Sequence, residues 1–596
     1  MKSGNYLKNI TRIVPVMFLF FLISCNSRRE VTVKELQDHV AYLASDSLKG
    51  RLTGSDGDSL AAEYIRNDLL SCGYKPVSGD GFQRFMVTDR LVAGPGNSLF
   101  VNEKEFFAGK EFTPFAFSSN SEHAADVIFT GYGFNINTDS LQWNDYQGID
   151  VKNKWVMILR ADPDADKTES IFIPHSADRD KALLAKDSGA AGVLMVSGPS
   201  FDPVDTFESL NSGDLSVGIP VLRIKREVAD LILSRTKHNI AEVEKRLNDS
   251  GRPFSFSTGT AVKAKAEVIR EMNNTRNVVM ILQGEDKNLE KEYLVMGAHF
   301  DHLGMGGPGS SSRVPDTLAI HYGADDNASG VGMMLELAEK FAQTPGTHPR
   351  SIVCIAFSGE EEGLLGSKYF VDNPGIDLTK VNAMINLDMV GRLPETNMIQ
   401  ISGTGTATGL RDLIHSHNDS SELMLTLSDE GYGPSDHSSF YGKDIPVLFY
   451  STGAHLDYHT PYDTYDKVNY EGMLKISTLI FRIAEFLASS PEKLNFTEAG
   501  PKYDQARALR RKGVTLGIMP DHAGNVKNGL RADFVTPGRP AAIAGMKKGD
   551  IITAINGKSI NNIQDYMFRM GQLEHGQTIN VEIIREDEKI ILLIQL

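Results

Sequence analysis

Residues 293–299, YLVMGAH, read as a strand that is apolar along its whole length and ends on a histidine. A strand hydrophobic on both faces belongs to a sheet covered on both sides, as parallel sheets are. Three similar runs follow: SIVCIAFSGE (351–360), NAMINLDMV (382–390) and IPVLFYST (445–452). Helices are predicted between and after them, at Ala328–Gln343 and Met473–Ser489. In the first, Val331, Met334, Leu335, Ala338 and Phe341 share one face at helical spacing. Alternating strands and helices imply an α/β unit over 263–492, with a mostly parallel mixed sheet covered by helices on both faces.

The chain around this unit has 596 residues, more than one core normally serves, so several domains are expected. On the N-terminal side, 26–105 is read as the first part of the same unit. Two amphipathic helices are predicted there, one with Leu36, Val40 and Leu43 inward, the other with Ala62, Ile65 and Leu69, separated by the turn RLTGSDGDS (51–59). Residues 106–262 change pattern to short strands (ADVIFTGYGF, KWVMILRAD, AGVLMVSG, IPVLRI) around a helix near KALLAKDSGA, a small α/β insert. A linker (493–506) leads to a β-rich unit at 507–596.

The N-terminus carries Lys2, Lys8 and Arg12 ahead of the apolar run IVPVMFLFFLIS (13–24). That run is shorter than the roughly 20 residues that span a bilayer and suits a signal peptide. Cys25 follows at once in LISC, which resembles a bacterial lipoprotein box; 1–25 is therefore read as a lipoprotein signal, with cleavage expected before Cys25 and lipid on Cys25. This implies a lipid-anchored protein of a bacterial cell envelope, facing periplasm or exterior. Only Cys72 and Cys354 remain, too few for a disulfide framework. A net charge of -16 argues against nucleic acid as a partner.

Candidate metal ligands fall at strand ends, where open parallel sheets bind ligands. His299 and Asp301 end the first strand, Glu360 and Glu361 the second, Asp388 the third; Asp325 and Asp326 precede a helix, and His459 follows the last strand. An aspartate inside INLDMV needs a partner, because burying a lone carboxylate is costly. Imidazole and carboxylate together suit zinc.

The stretches GAHFDHLG, GADDNASG, FSGEEEGLLGS, NLDMVG, GYGPSDHSSF and YHTPYDT resemble, in order and spacing, the co-catalytic zinc aminopeptidases, a family that includes glutamate carboxypeptidase and the non-catalytic transferrin receptor. The resemblance implies two zinc ions: His299 and Asp388 on one, Glu361 and His459 on the other, Asp326 shared. It implies Glu360 as general base to a bridging hydroxide, Asp301 as the residue orienting His299, and Tyr432 as donor to the developing oxyanion. His302, His321, His437 and His455 are read as decoys or as groups that support the ligands, and Glu362 is left facing solvent. The insert resembles a protease-associated domain. The run PAAIAGMKKGDIITAINGK (540–558) resembles bacterial PDZ domains, with Leu516, Gly517 and Ile518 as the loop that would hold a peptide C-terminus. The implied substrates are peptides with free N-termini. The alternatives are a carboxypeptidase or dipeptidase of the same family, with Arg392 near the site, and a binding protein that has lost catalysis, against which the complete ligand set speaks.

Overall fold

A computed structural model describes Met1 and residues 29–596, apart from 139, 165–166, 168, 209, 211–214, 308–309, 419–422, 500–513, 521–525 and 527. The signal segment with Cys25, and residues 500–506 of the expected linker, lie outside the described residues. No helix among the described residues is long and apolar enough to cross a membrane.

The main sheet is built from β1 (Phe82–Ala93), β2 (Val268–Leu282), β3 (Tyr293–His299), β4 (Ser351–Phe357), β5 (Val381–Leu387), β6 (Met398–Ser402), β7 (Met424–Leu427) and β8 (Val447–Ser451). Their order is β1-β2-β4-β3-β5-β8-β6-β7, with the short strand Lys75–Pro76 also on β2. The centre, β4-β3-β5-β8, is parallel, and β2 and β6 join it antiparallel. Both faces are covered, as fully apolar strands require. On one side Leu294, Met296 and Cys354 pack with α1 (Val33–Leu43), α2 (Asp56–Ser71), α3 (Gly330–Gln343) and α5 (Tyr470–Ser489). On the other, Val295, Val353 and Ile355 meet α4 (Leu365–Asp372) and the short helix His437–Tyr441. Adjacent residues of one strand thus serve opposite cores.

The N-terminal helices form where their apolar spacing places them, with Leu36, Val40, Leu43, Ala62, Ile65 and Leu69 all buried. Thr32 and Ser55 cap them by accepting from the backbone N–H groups of Glu35 and Asp58.

The insert is a separate eight-stranded sheet. Its limits are wider than the expected 106–262. A hairpin of Ser98–Val101 and Lys104–Phe106 pairs onto Ser255–Ala266, with Leu99 opposite Ala264, so the unit runs from Ser98 to Ala266. Edge pairing, which local composition does not report, sets that limit. The long antiparallel ribbon β1–β2 joins it to the main sheet.

The C-terminal unit has its own sheet and core. Its first strands are β9 (Ile518–Pro520) and β10 (Leu530–Val535), and α6 (Ile563–Met570) packs against them. Among the described residues, strand β9 is an edge that pairs with β10 alone.

Candidate metal centre

Five of the sequence-predicted residues converge beyond the carboxyl ends of β3, β4 and β5. His299 is the last residue of β3 and fully buried; its Nε2 lies 3.3 Å from Asp326 Oδ1 and 3.4 Å from Asp388 Oδ1. The other oxygen of Asp326 faces His459 Nε2 at 3.2 Å, and that nitrogen is 3.1 Å from Glu361 Oε2. Asp326 therefore stands between two groups of ligand atoms, one oxygen toward each.

Three-residue sets on both sides of Asp326 are close enough to hold an ion: His299, Asp326 and Asp388, and His302, Asp326 and Glu361, each with ligand atoms within 4.8 Å of one another. His299 Nε2, His459 Nε2 and Asp388 Oδ1 are buried and make no hydrogen bond among the described residues. Buried polar atoms normally find a partner, so this donor set fits a divalent cation of the zinc type. The electrostatics agree. Burial alone would lower the pKa of His299, but the carboxylates of Asp388 and Glu360 drive it well above the imidazole range. For His459, too, burial acts downward, while the carboxylates of Asp326 and Glu361 facing it lift it to about 10. The crowded carboxylates demand positive charge at these positions.

Asp326 is set by its loop. Gly323 has φ +54°, and a Cβ there would meet the carbonyl of Asp326 at 2.1 Å and the ring of His302 at 2.6 Å, so glycine is required. Asp463 accepts from the backbone N–H of Asp325 (2.8 Å) and of Asp326 (3.1 Å) and holds Arg392 at 2.9 Å. Asp325 itself points away, with His455 Nε2 3.3 Å from its carboxylate and the Gly391 N–H donating to it.

Glu360 lies beside this cluster, with Oε2 3.9 Å from His299 Nε2. Burial, then the charges of Asp388, Asp436 and Glu361, push its pKa well above the carboxylate range, which suits a group that must take up a proton. Asp301 is buried beneath it. The backbone carbonyl of Asp301 lies 3.3 Å from His299 Nδ1. Its carboxylate accepts from the N–H of Glu360 (3.1 Å), the N–H of Glu361 (3.4 Å) and the Thr53 hydroxyl (2.9 Å). Asp301 thus holds the Glu360–Glu361 turn as well as the imidazole. Glu362 is exposed.

One expectation is corrected. Tyr432 donates its hydroxyl to the carbonyl of Asp533 in the C-terminal unit at 3.1 Å, and its ring packs against Tyr441 and Phe534. The expected position followed one short motif, while a domain contact remote in sequence decides the hydroxyl's partner. Tyr458 stacks on His459 with 3.8 Å between ring centres and, like Tyr432, lines the same cleft as Glu360. Its phenol is raised by burial and by Asp326, Glu361, Asp388 and Glu360. Of the two roles open to His302, its contact with Glu361 agrees with support of a ligand residue. Its Nδ1 lies 2.6 Å from Glu361 Oε1 and 3.9 Å from Asp326 Oδ2. The other three histidines are apart from the ligand atoms: His321 bonds Ser312 at 2.8 Å, His437 stacks on Phe449, and His455 meets Asp325.

Arg51 escaped notice in a polar turn. It is buried, and its guanidinium donates to the carbonyls of Phe300 (2.7 Å), Tyr322 (2.8 Å), Gly323 (3.0 Å) and Leu43. It ties the segment carrying His299 and Asp301 to the segment carrying Asp326.

Residues 277–484 match Peptidase family M28, and residues 515–596 match the PDZ domain. Aminopeptidase YwaD of Bacillus subtilis is 29% identical over 475 residues, covering 76% of this chain and 85% of its own length. Leucine aminopeptidase 1 of Ajellomyces dermatitidis is 26% identical over 251 residues, 39% of this chain and 62% of its own. Among solved structures, an aminopeptidase from Aneurinibacillus sp. strain AM-1 aligns over 79% of this chain and 97% of its own, at 22% identity and a TM-score of 0.45. The chain is a zinc-dependent peptidase that matches Peptidase family M28 over residues 277–484 and the PDZ domain over residues 515–596.

Proposed function

We propose that this protein removes N-terminal residues from peptides with two zinc ions, one held by His299 and Asp388, the other by Glu361 and His459, with Asp326 shared. The observation that carries the reading is Asp326, whose two oxygens face His299 and His459 separately. His302, on the free oxygen of Glu361, supports the second position. Zinc bound there supplies Lewis-acid polarisation of the scissile carbonyl and acidifies water toward neutral pH.

The chain's own residues do the rest. Glu360, with its raised pKa, accepts the proton from the attacking water and returns it to the leaving amine. Asp301 fixes both His299 and the backbone of Glu360. With Tyr432 engaged by Asp533, Tyr458 is the donor assigned to the developing oxyanion. Unshared carboxylate charge around the site favours a substrate ammonium. The carboxypeptidase alternative needs a cation for the substrate carboxylate near the ligands. Arg392 is held by Asp463 and Asp457 instead, which favours the aminopeptidase reading. Export and lipid attachment at Cys25 are part of the same proposal and rest on the sequence of the leader.

The test compares free and N-acetylated peptides on the mature chain and on Glu360→Gln. Cleavage restricted to free N-termini, abolished by chelation, with Glu360→Gln still binding two zinc ions, is the expected result. One zinc per active chain, or equal cleavage of acetylated peptides, would overturn it.

A further inference from the structure

We infer that Asp58 is a positioning residue for the turn that carries Glu360, held as a neutral carboxylic acid in a closed ring of hydrogen bonds with Thr275 and Ser358. Its effect on turnover rests on the reading of Glu360 as general base; its protonation state does not.

Three elements meet at this ring. Asp58 lies in the first turn of α2, Thr275 on β2, and Ser358 directly after β4, just ahead of Gly359 and Glu360. All three side chains are fully buried. One oxygen of the Asp58 carboxyl is 2.6 Å from the Ser358 hydroxyl and the other is 2.8 Å from the Thr275 hydroxyl. The two hydroxyls are themselves 2.6 Å apart.

The number of available hydrogens fixes the state of the carboxyl. Each hydroxyl carries one hydrogen and an ionised carboxylate carries none. With Asp58 ionised, one of the three contacts has no hydrogen, and two oxygens face each other with lone pairs alone. A protonated Asp58 supplies the missing one. Its O–H donates to one hydroxyl, that hydroxyl donates to the second, and the second donates back to the other carboxyl oxygen. The surroundings agree. Burial raises the Asp58 carboxyl to about 7, with the charge of Asp301 adding to the rise and the two hydroxyls and the Gly54 N–H opposing it. A neutral acid is buried here at less cost than a second carboxylate beside Asp301 would be.

The ring bears on the chemistry through Ser358. Residues 359–364 carry Glu360 and Glu361 from β4 to α4, and this turn is pinned at both ends. At its start, the ring holds the Ser358 side chain, and the Ser358 N–H donates to Asn277 Oδ1 at 3.2 Å. At its far end, Asn277 Nδ2 donates to the carbonyl of Gly366 at 2.8 Å. Between them Asp301 accepts from the N–H groups of Glu360 and Glu361, and Thr53, from the turn that leads into α2, donates to Asp301. Asp58 thus fixes where the backbone of Glu360 starts.

The experiment uses the full zinc-loaded chain. Turnover of leucine p-nitroanilide by the wild type comes first; its absence would sink the aminopeptidase reading and leave the protonation state to be read by infrared spectroscopy. An amide offers the donor and acceptor of a neutral acid, so Asp58→Asn should close the same ring. Its kcat is expected within about threefold of wild type, with KM and zinc content unchanged. Asp58→Leu opens the ring and should lower kcat by about 10–100-fold at unchanged KM and zinc content, the scale of a misplaced reacting group. If Asp58→Leu loses its melting transition, Ser358→Ala, which removes a single oxygen, takes its place with the same expectation. In the Glu360→Gln background the ring-opening variant should add no further loss, because it acts through Glu360, whereas a merely structural role would lower both backgrounds alike. The infrared difference between wild type and Asp58→Asn at pH 6 should contain the carbonyl band of a protonated carboxylic acid. A carboxylate band in its place, an Asp58→Asn that fails to fold or is as slow as the ring-opening variant, a ring-opening variant with wild-type kcat, or equal losses in both backgrounds would overturn the inference.

Discussion

Replacing Arg51 by Met should loosen the metal centre without touching a ligand. Arg51 is buried and serves four backbone carbonyls, three of them in the segments that carry His299, Asp301 and Asp326. Methionine fills comparable space but donates nothing. Each carbonyl left buried and unpaired costs about 1–3 kcal/mol, so four cost about 4–12 kcal/mol. Against this stands the relief of a buried charge. Burial lowers the Arg51 pKa from 12.5 to about 10, even with Asp326, Asp301 and Asp463 acting upward. That shift corresponds to about 3 kcal/mol. The net expectation is a local destabilisation of about 4 kcal/mol. Trp143 and Trp155 are the only tryptophans and both lie in the insert, so fluorescence would report the wrong domain. Hydrogen exchange over 293–304 and 321–330 is the appropriate assay. His302 N–H donates to the Arg51 carbonyl and Phe300 N–H to Phe357, so both amides sit inside the affected region. About 4 kcal/mol corresponds to roughly a thousandfold faster exchange where opening limits it. Exchange within tenfold of wild type, with zinc affinity unchanged, would refute the bracing role.

Further expectations concern single positions. Glu360→Gln should lower kcat by about 10²–10⁴-fold while zinc content stays constant, read by metal analysis beside kinetics. Tyr458→Phe should lower kcat by about 10²-fold with little change in KM, and an unchanged kcat would return the oxyanion role to another group. His302→Ala should weaken zinc at the Glu361 side by about 10–100-fold, measured by competition with a chelating dye; wild-type affinity would place His302 outside the site. His437 is buried and stacked on Phe449, and burial pushes its pKa down to about 3. Its neutral form is the folded one, so stability is full above pH 6.5 and falls as pH drops toward 3. At pH 5 the loss is about 2 kcal/mol. Thermal melts at pH 7.5 and 5 should show a smaller acid loss in His437→Phe; equal losses would remove His437 from the pH response.

The residues alone determined the architecture of the catalytic domain and the chemistry at its centre. Strands apolar on both faces permit only a sheet covered on both sides, and YLVMGAH and SIVCIAF sit at its middle. Carboxylates and histidines at strand ends pointed to groups that the fold brings within 4.8 Å of one another, Asp388 inside its apolar run among them. Tertiary structure alone decided what depends on distant segments meeting. The hydroxyl of Tyr432 finds a carbonyl 101 residues away. His302 reaches Glu361 across 59 residues, and nothing in its place after Asp301 signals that contact. Arg51, in a turn that reads as solvated, is buried because four carbonyls from three separate segments gather around it. The shared cavity of PDZ strand and catalytic turn is likewise a property of packing. Periodicity and residue type report local structure and intrinsic chemistry, whereas the partner that satisfies a side chain is chosen only when the chain closes on itself.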